Sequence, residues 1–313
     1  MALSSITPTT HYLDLKYLGA EHLIAVGVLE SDDGVILVDP GPTSALETLR
    51  QALGEAGYAL ADVRALLLTH IHLDHAGATG AIVQDHPDVA VYVHRLGATH
   101  LADPSTLLAS ARRLYGDMLE PLWGAVVPVP EDALHVLYGD EAITVGGRPF
   151  DVAYTPGHAV HHVSYRDGES DTAFIGDTAG MRISGTDVIL PVTPPPDVDL
   201  DRWPDSLDAI RNWAPERLFV THFGPHDDPA WHLDAFERTL DAWSDAVRNA
   251  LEQEDDEADD AERAEAFHAA KIQELKQRLS PELVPAYDQF GQPQASWRGL
   301  ARYWRKQSDR ASP

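Results

Sequence analysis

The sequence predicts a mixed α/β or α+β fold. Short apolar runs of strand length alternate with longer stretches whose apolar spacing is near 3.6, and Gly, Asp and Pro punctuate the joins. In chain order, residues 12–18, 22–30 and 34–38 read as consecutive antiparallel strands. The third stops at Asp39-Pro40-Gly41-Pro42, a strong turn signal. Residues 43–56 keep a helical period behind a cap at Thr43 or Ser44. Strands follow at 63–68 and 89–94, and 96–122 reads as helix in pieces, broken at Pro104 and Gly116. Gly146-Gly147, between runs at 142–145 and 148–154, marks a hairpin. Further strands at 162–166, 172–175 and 217–220 are interleaved with helices at 200–213 and 229–251. Residues 252–265 are mostly Asp, Glu and Ala, a solvated helix face or a linker. Beyond them the helical period returns, and Trp297, Leu300, Tyr303 and Trp304 form one apolar face that reads as a core stripe. The division expected is a main unit over residues 1–251 and an acidic linker with a helical C-terminal extension over 252–313.

A chain of 313 residues with 44% apolar content can bury an ordinary core. No run of about 18 apolar residues occurs, so no helix is expected to span a membrane. Residues 1–12 lack the basic start and apolar centre of a signal peptide. Zero cysteines exclude disulfides and thiolate ligands, and the expected location is the cytoplasm. Fifty acidic residues against 23 basic ones leave a net charge of −27, which repels phosphate backbones and anionic lipids. Neither nucleic acid nor membrane is therefore an expected partner. Only Lys16, Lys271, Lys276 and Lys306 are lysine. Such a composition fits either a salty cytosol or a GC-rich genome.

Residues 69–77 read Thr-His-Ile-His-Leu-Asp-His-Ala-Gly, placing His70, His72, Asp74 and His75 within six positions. The apolar run at 63–68 delivers them to a loop at a strand's carboxyl end, where α/β proteins commonly place their chemistry. Other strands also end in a His or Asp beside a turn: Asp39, His158 after Pro156-Gly157, Asp177 after Gly176, and His222 after Thr221. Nitrogen and oxygen ligands without sulfur suit zinc, iron or manganese. Two metals held close together need about this many ligands, with a carboxylate to bridge them.

This pattern resembles the metallo-β-lactamase superfamily, in its glyoxalase II-like and lactonase-like hydrolase branch, over roughly residues 12–251. The resemblance rests on His-x-His-x-Asp-His, a distant His after Pro-Gly, a Gly-Asp and a Thr-His. It implies a four-layer αββα sandwich with the metals at one edge, and a catalytic domain over residues 1–251. It implies that His70, His72 and His158 hold one ion, that Asp74, His75 and His222 hold a second, and that Asp177 bridges. Asp39 would support the loop by hydrogen bonds without ligating. The implied cofactors are two divalent ions, zinc first, with iron or manganese as alternatives. The implied reaction is cleavage of an ester, thioester or lactone by a metal-bridged hydroxide, with Asp74 and Asp177 as catalytic carboxylates. The expected partner is a small-molecule substrate, and a homodimer is the candidate assembly.

Details separate the branches. His72 stands where the oxygen-reducing diiron members normally carry Glu. Asp177 stands where class B antibiotic-degrading members commonly carry Cys. The Gly-Gly-x-Gly-Arg continuation of glyoxalase II is absent after Asp177, and Arg182 is a loose substitute. Alternative readings are a phosphodiesterase-like hydrolase, a non-heme iron redox protein such as a sulfur dioxygenase, and a non-catalytic metal-binding protein. Among the remaining histidines, His226 is a candidate to support the ligands or meet substrate. His161 and His162 alternate at a strand start, so at most one faces the site. His94 and His100 read as structural or exposed. Residues 115–123 are a candidate pocket wall, and the C-terminal helices are expected to cover the metal mouth or form a dimer surface.

Overall fold

The computed structural model describes residues 3–252 and 260–311, so part of the acidic stretch, residues 253–259, lies outside the described residues. One sheet has seven strands in chain order. These are β1 (Ser4–Thr7), β2 (Thr10–Asp14), β3 (Ala25–Ser31), β4 (Gly34–Val38), β5 (Val63–Leu67), β6 (Ala90–His94) and β7 (Leu134–Leu137). The pairs from β1 to β4 are antiparallel and those from β4 to β7 are parallel. The second sheet contains β8 (Ala142–Val145), β9 (Arg148–Tyr154), β10 (Val163–Asp167), β11 (Thr172–Phe174), β12 (Arg217–Val220) and β13 (Gly224–His226). Its strands also lie side by side in chain order, and only β11–β12 is parallel.

Helices connect and cover the sheets. The first sheet's connections are α1 (Leu46–Glu55), α2 (Leu73–Ala76), α3 (Thr79–Asp85), α4 (Arg95–Ala102), α5 (Ser105–Tyr115) and α6 (Leu119–Trp123). The second sheet's are α7 (Trp203–Trp213) and α8 (Pro229–Glu252), followed by α9 (Asp260–Arg278), α10 (Val284–Gly291) and α11 (Pro293–Ala311).

The period of two along the strands sorts their side chains into layers. Ala25, Leu29, Ile36, Val38, Ala65 and Leu67 join Phe150, Val152, Phe174 and Phe219 in an apolar cluster between the sheets. Val26, Val28, Val35, Leu37 and Leu66, one step out of phase, join the helix residues instead. On the other sheet Ala173, Leu218 and Val220 belong with Trp203 and Phe236. The result is the αββα sandwich. Trp297, Leu300 and Ala301 of α11 are buried in that same helix-side cluster, as the core-stripe reading expects.

Three strands escape the sequence pattern, and all three are sheet edges: β1, β7 and β13. β1 and β7 are short and half solvated, and β13 is a largely buried three-residue Gly-Pro-His, so none carries an apolar alternation. The strand expected at 12–18 stops at Asp14. Its carboxylate accepts the Lys16 N–H at 2.9 Å and the His22 N–H at 2.8 Å, turning the chain away from the sheet.

At the end of β9 remote from the ligand loops, Arg148 is buried against Asp167. Its guanidinium also donates to the carbonyls of Thr9 at 3.1 Å and Glu30 at 3.0 Å, and to Thr10 Oγ1 at 2.8 Å. This ties the two sheets together. Asp167 in turn accepts the Ser170 N–H at 3.1 Å, so the buried pair is saturated.

Candidate metal centre

The expected ligands and the supporting Asp39 all sit just past the carboxyl ends of strands. Asp39 follows β4, the His70–His75 loop follows β5, His158 follows β9, Asp177 follows β11 and His222 follows β12. Three overlapping groups form: His70, His72 and His158; His70, His75 and Asp177; and Asp74, His75 and His222. Within each group the potential ligand atoms lie within 4.8 Å of one another.

Each imidazole is aimed by its far side. His70 Nδ1 lies 3.1 Å from Thr69 Oγ1, and His75 Nδ1 donates to Asp39 Oδ2 at 2.8 Å. His158 Nδ1 donates to the Val192 carbonyl at 2.7 Å, and His222 Nδ1 donates to the Leu23 carbonyl at 2.7 Å. Such a bond selects the tautomer and leaves a lone pair on Nε2. His72 is turned the other way, its Nδ1 lying 2.9 Å from His158 Nε2.

What those lone pairs meet is the test of metal fit. Nε2 of His70, His75 and His222 and Oδ1 of Asp177 are buried without a hydrogen-bond partner. A buried polar atom left unpaired costs about 1–3 kcal/mol. Four such atoms converging on one place fit a cation, and the nitrogen and oxygen donors fit a divalent one. Asp177 reaches both sides of the cluster. Its Oδ2 is 3.4 Å from His158 Nε2, and its Oδ1 is 3.4 Å from Nε2 of both His75 and His222. Asp74 Oδ2 lies 3.5 Å from His222 Nε2 and 3.8 Å from His75 Nε2.

Asp39 is the brace. Its carboxylate accepts the Thr69 N–H, Thr69 Oγ1–H, Thr221 Oγ1–H and His75 Nδ1–H, each at 2.8 Å. Thr69 belongs to the first sheet's loop and Thr221 to the second's, so one side chain locks both. These are hydrogen bonds of the kind the resemblance implies for Asp39. The backbone there is left-handed, φ 51°, a conformation Asp tolerates better than most residues. Gly176 is needed just before Asp177. A Cβ at its φ of +47° would come within 2.5 Å of Thr69 Oγ1 and 2.7 Å of His162 Nε2.

The charges are balanced for a cation. Burial lowers the pKa of His70 and His158, and that of His72 to about 3. Burial would lower His75 and His222 too, but Asp177 and Asp74 raise both, with His75 well above the ordinary range. Burial would raise the two carboxylates; His75 and His222 instead hold Asp74 at about 2 and Asp177 well below its usual value. Ionised carboxylates and neutral imidazoles are the forms that bind metal, and the same two carboxylates that draw a proton to His75 and His222 would favour a cation in its place.

The model of the metallo-beta-lactamase superfamily matches residues 21–222. The chain belongs to that superfamily. It is 30% identical over 162 residues to the metallo-beta-lactamase fold-containing protein ST1585 of Sulfurisphaera tokodaii, covering 51% of this chain and 60% of that protein. It is 34% identical over 149 residues to the probable metallo-hydrolase YqgX of Bacillus subtilis, covering 48% of this chain and 63% of that one. A hydroxyacylglutathione hydrolase of Erwinia tasmaniensis is 30% identical over 154 residues, 49% of this chain and 46% of that enzyme. These alignments therefore span about half to two thirds of the curated relatives. The crystal structure of the metallo-beta-lactamase family protein TTHA1429 from Thermus thermophilus superposes with a TM-score of 0.71 at 22% identity, over 97% of this chain and 95% of that one. The ST1585 crystal structure gives 0.63 at 21% identity, over 94% and 98%. The superfamily is one of metal-dependent hydrolases, mostly enzymes, and the chain carries its fold and a His/Asp cluster able to hold metal. No helix among the described residues is long and apolar enough to cross a membrane.

As a metallo-beta-lactamase relative, the chain adds a walled cavity of about 420 Å³ above the cluster, reached by His72, Asp74, His158, Asp177 and His222. The wall expected from residues 115–123 is there, in Tyr115 and Trp123. The C-terminal helices contribute Phe290, whose ring centroid is 4.6 Å from that of His222, and the adjacent Gln292. His161 lines the cavity, whereas His162 lies beneath the cluster and accepts the Asp177 N–H at 3.3 Å. His226 does not meet the cluster directly. It donates to the Arg182 carbonyl at 3.1 Å, and the Arg182 N–H donates to the His222 carbonyl at 2.7 Å, so it steadies the segment that carries a ligand. His94 is structural, stacked 4.6 Å from Tyr154, but His100 lines the cavity. The sequence reading missed His100 and Phe290; their only signal is helical phase toward an unknown neighbour.

Proposed function

We propose that this chain is a dinuclear metal-dependent hydrolase that cleaves a carboxylic ester, thioester or lactone. One observation carries the reading: Asp177 presents one oxygen to His158 and the other to His75 and His222, each at 3.4 Å. His70, His72 and His158 would hold one ion, and Asp74, His75 and His222 the other, with Asp177 between them. Zinc suits the donors, with iron or manganese as alternatives. Divalent ions in such a site polarise an acyl oxygen and lower the pKa of a water at neutral pH.

The chain's own residues do the rest. Asp74, ionised and partly open to the cavity, accepts a hydrogen bond from the attacking water and sets its direction. Asp177 keeps its position through its own N–H bond to His162. Phe290, Trp123 and Leu73 exclude bulk water from the reacting carbonyl. The resemblance to hydroxyacylglutathione hydrolases supports acyl rather than phosphoryl transfer. We read residues 260–311 as part of this working unit because they supply Phe290 and Gln292, and the proposed setting is a cytoplasmic enzyme with a small-molecule substrate.

Metal analysis of the purified protein, followed by assays on esters, thioesters, lactones and phosphodiesters, tests the reading. Two equivalents of metal and chelator-sensitive acyl hydrolysis are expected. Phosphodiester cleavage alone, oxygen uptake with persulfide, or no turnover at all would each overturn it.

A further inference from the structure

Resting on that hydrolase reading, we propose that the substrate is an uncharged ester or lactone carrying an apolar acyl chain. The cavity above the cluster is walled by Leu73, Leu96, Leu107, Trp123, Val192 and Phe290. Its volume of about 420 Å³ is in the range of small-molecule sites. At its border Leu114 is 40% exposed and Val160 39%, so the apolar lining reaches solvent as a greasy rim.

Charge is the deciding contrast. Among the described residues, no lysine or arginine lines this cavity, and Asp197 adds a carboxylate to its wall. A neighbouring cavity of about 340 Å³ does hold Arg298. It lies across a shared wall of Tyr115, Trp123 and Phe290 and is lined by none of the cluster's histidines or aspartates. Metal ions would occupy the reacting oxygen, leaving no lysine or arginine to meet a remote carboxylate or phosphate. A glutathione thioester carries two carboxylates and a phosphodiester a formal negative charge. Burying either group unpaired is costly, and a chain of net charge −27 repels both from a distance. An alkyl chain, by contrast, gains from each methylene it removes from water.

The test uses the metal-loaded full-length protein and p-nitrophenyl esters from acetyl to octanoyl, alkyl-substituted lactones, S-lactoylglutathione and bis(p-nitrophenyl) phosphate. At about 0.8 kcal/mol per buried methylene, kcat/KM rises up to about fourfold per carbon until the cavity fills. We expect a gain of about a hundredfold from acetyl to octanoyl, the effect of fully burying between three and four of the added methylenes at about fourfold each, with both anionic substrates well below octanoyl. Leu107→Arg should cut the octanoyl-to-acetyl ratio by about tenfold or more and raise a succinyl monoester relative to octanoyl. The ratio is insensitive to partial loss of folded protein. As a readout separate from turnover, N-butyloctanamide should displace the neutral fluorophore N-phenyl-1-naphthylamine from the wild type, and more weakly from Leu107→Arg. A flat chain-length profile, or a preference for S-lactoylglutathione, overturns this proposal and leaves the hydrolase reading standing. Absence of all metal-dependent turnover overturns the reading beneath it. Failure of the amide to displace the fluorophore sinks the apolar-chain assignment even then.

Discussion

The two ends of the sandwich bury polar groups in opposite ways. At one end Arg148 and Asp167 close on each other and on Thr9, Thr10, Glu30 and Ser170, leaving no donor or acceptor of the pair idle. At the other end His70, His75, His222 and Asp177 are just as buried, yet each keeps an atom without a partner. Both clusters span the two sheets. The difference teaches what each is for: the closed cluster is complete without a ligand, and the open one is able to hold a cation.

Removing Asp177 should break the open end most severely. Asp177→Ala is expected to lower kcat by about a thousandfold or more and to leave at most about half the bound metal, read by elemental analysis beside turnover. Full metal occupancy in that variant would remove the bridging role. Breaking the closed end should do the reverse. Arg148→Ala strands the Asp167 carboxylate and should cost about 3–5 kcal/mol in urea unfolding, with metal content per folded molecule unchanged. Loss of metal from folded Arg148→Ala would mean that the two ends are one cooperative unit.

Asp39 sharpens the contrast, because it is a closed brace inside the open end. Asp39→Ala frees Thr69, Thr221 and His75 together and should weaken metal binding by about 10–100-fold, measured by competition with a chelator. An unchanged affinity would show that packing alone aims His75.

The smallest expected effect concerns two imidazoles that hold the segment after Asp177. His226 donates to the Arg182 carbonyl and His232 to the Ala179 carbonyl at 3.0 Å. Burial lowers their pKa values, to about 4 for His226 and about 3 for His232, from an ordinary 6.5. Between those values and 6.5 the unfolded chain binds more protons than the folded one, so their stabilising effect is full above about 6.5 and is lost as pH falls toward 4. The melting temperature should decline across that window, and His232→Gln should flatten the decline. An identical slope in the variant would place the acid sensitivity elsewhere.

The candidate ligands were legible because metal chemistry restricts residue type. Few packing roles call for His-x-His-x-Asp-His at a strand end, and a short strand followed by a turn is a local signal. The cavity wall was legible only in part. Tyr115 and Trp123 stood out as aromatics between two motifs, whereas Leu107 and Phe290 are indistinguishable in sequence from ordinary core residues. His100 read as structural or exposed because its helix, α4, gives no sign of which face meets the cluster. The edge strands were illegible for a different reason: β1 and β7 are half solvated and need no regular apolar alternation, and β13 is only three residues long.

By itself, then, the sequence determined the candidate donor set, the order of strands and helices across the core, and the acidic character of the chain. Those are properties of residue type and of spacing within about ten positions. Only the tertiary structure decided which nitrogen of each histidine faces inward, and that Thr221 meets Asp39 across 182 positions of chain. It also brought Phe290 of the C-terminal helices against His222. Orientation and enclosure arise from contacts between segments whose separation in sequence carries no signal, so they exist only once the two sheets have closed on each other.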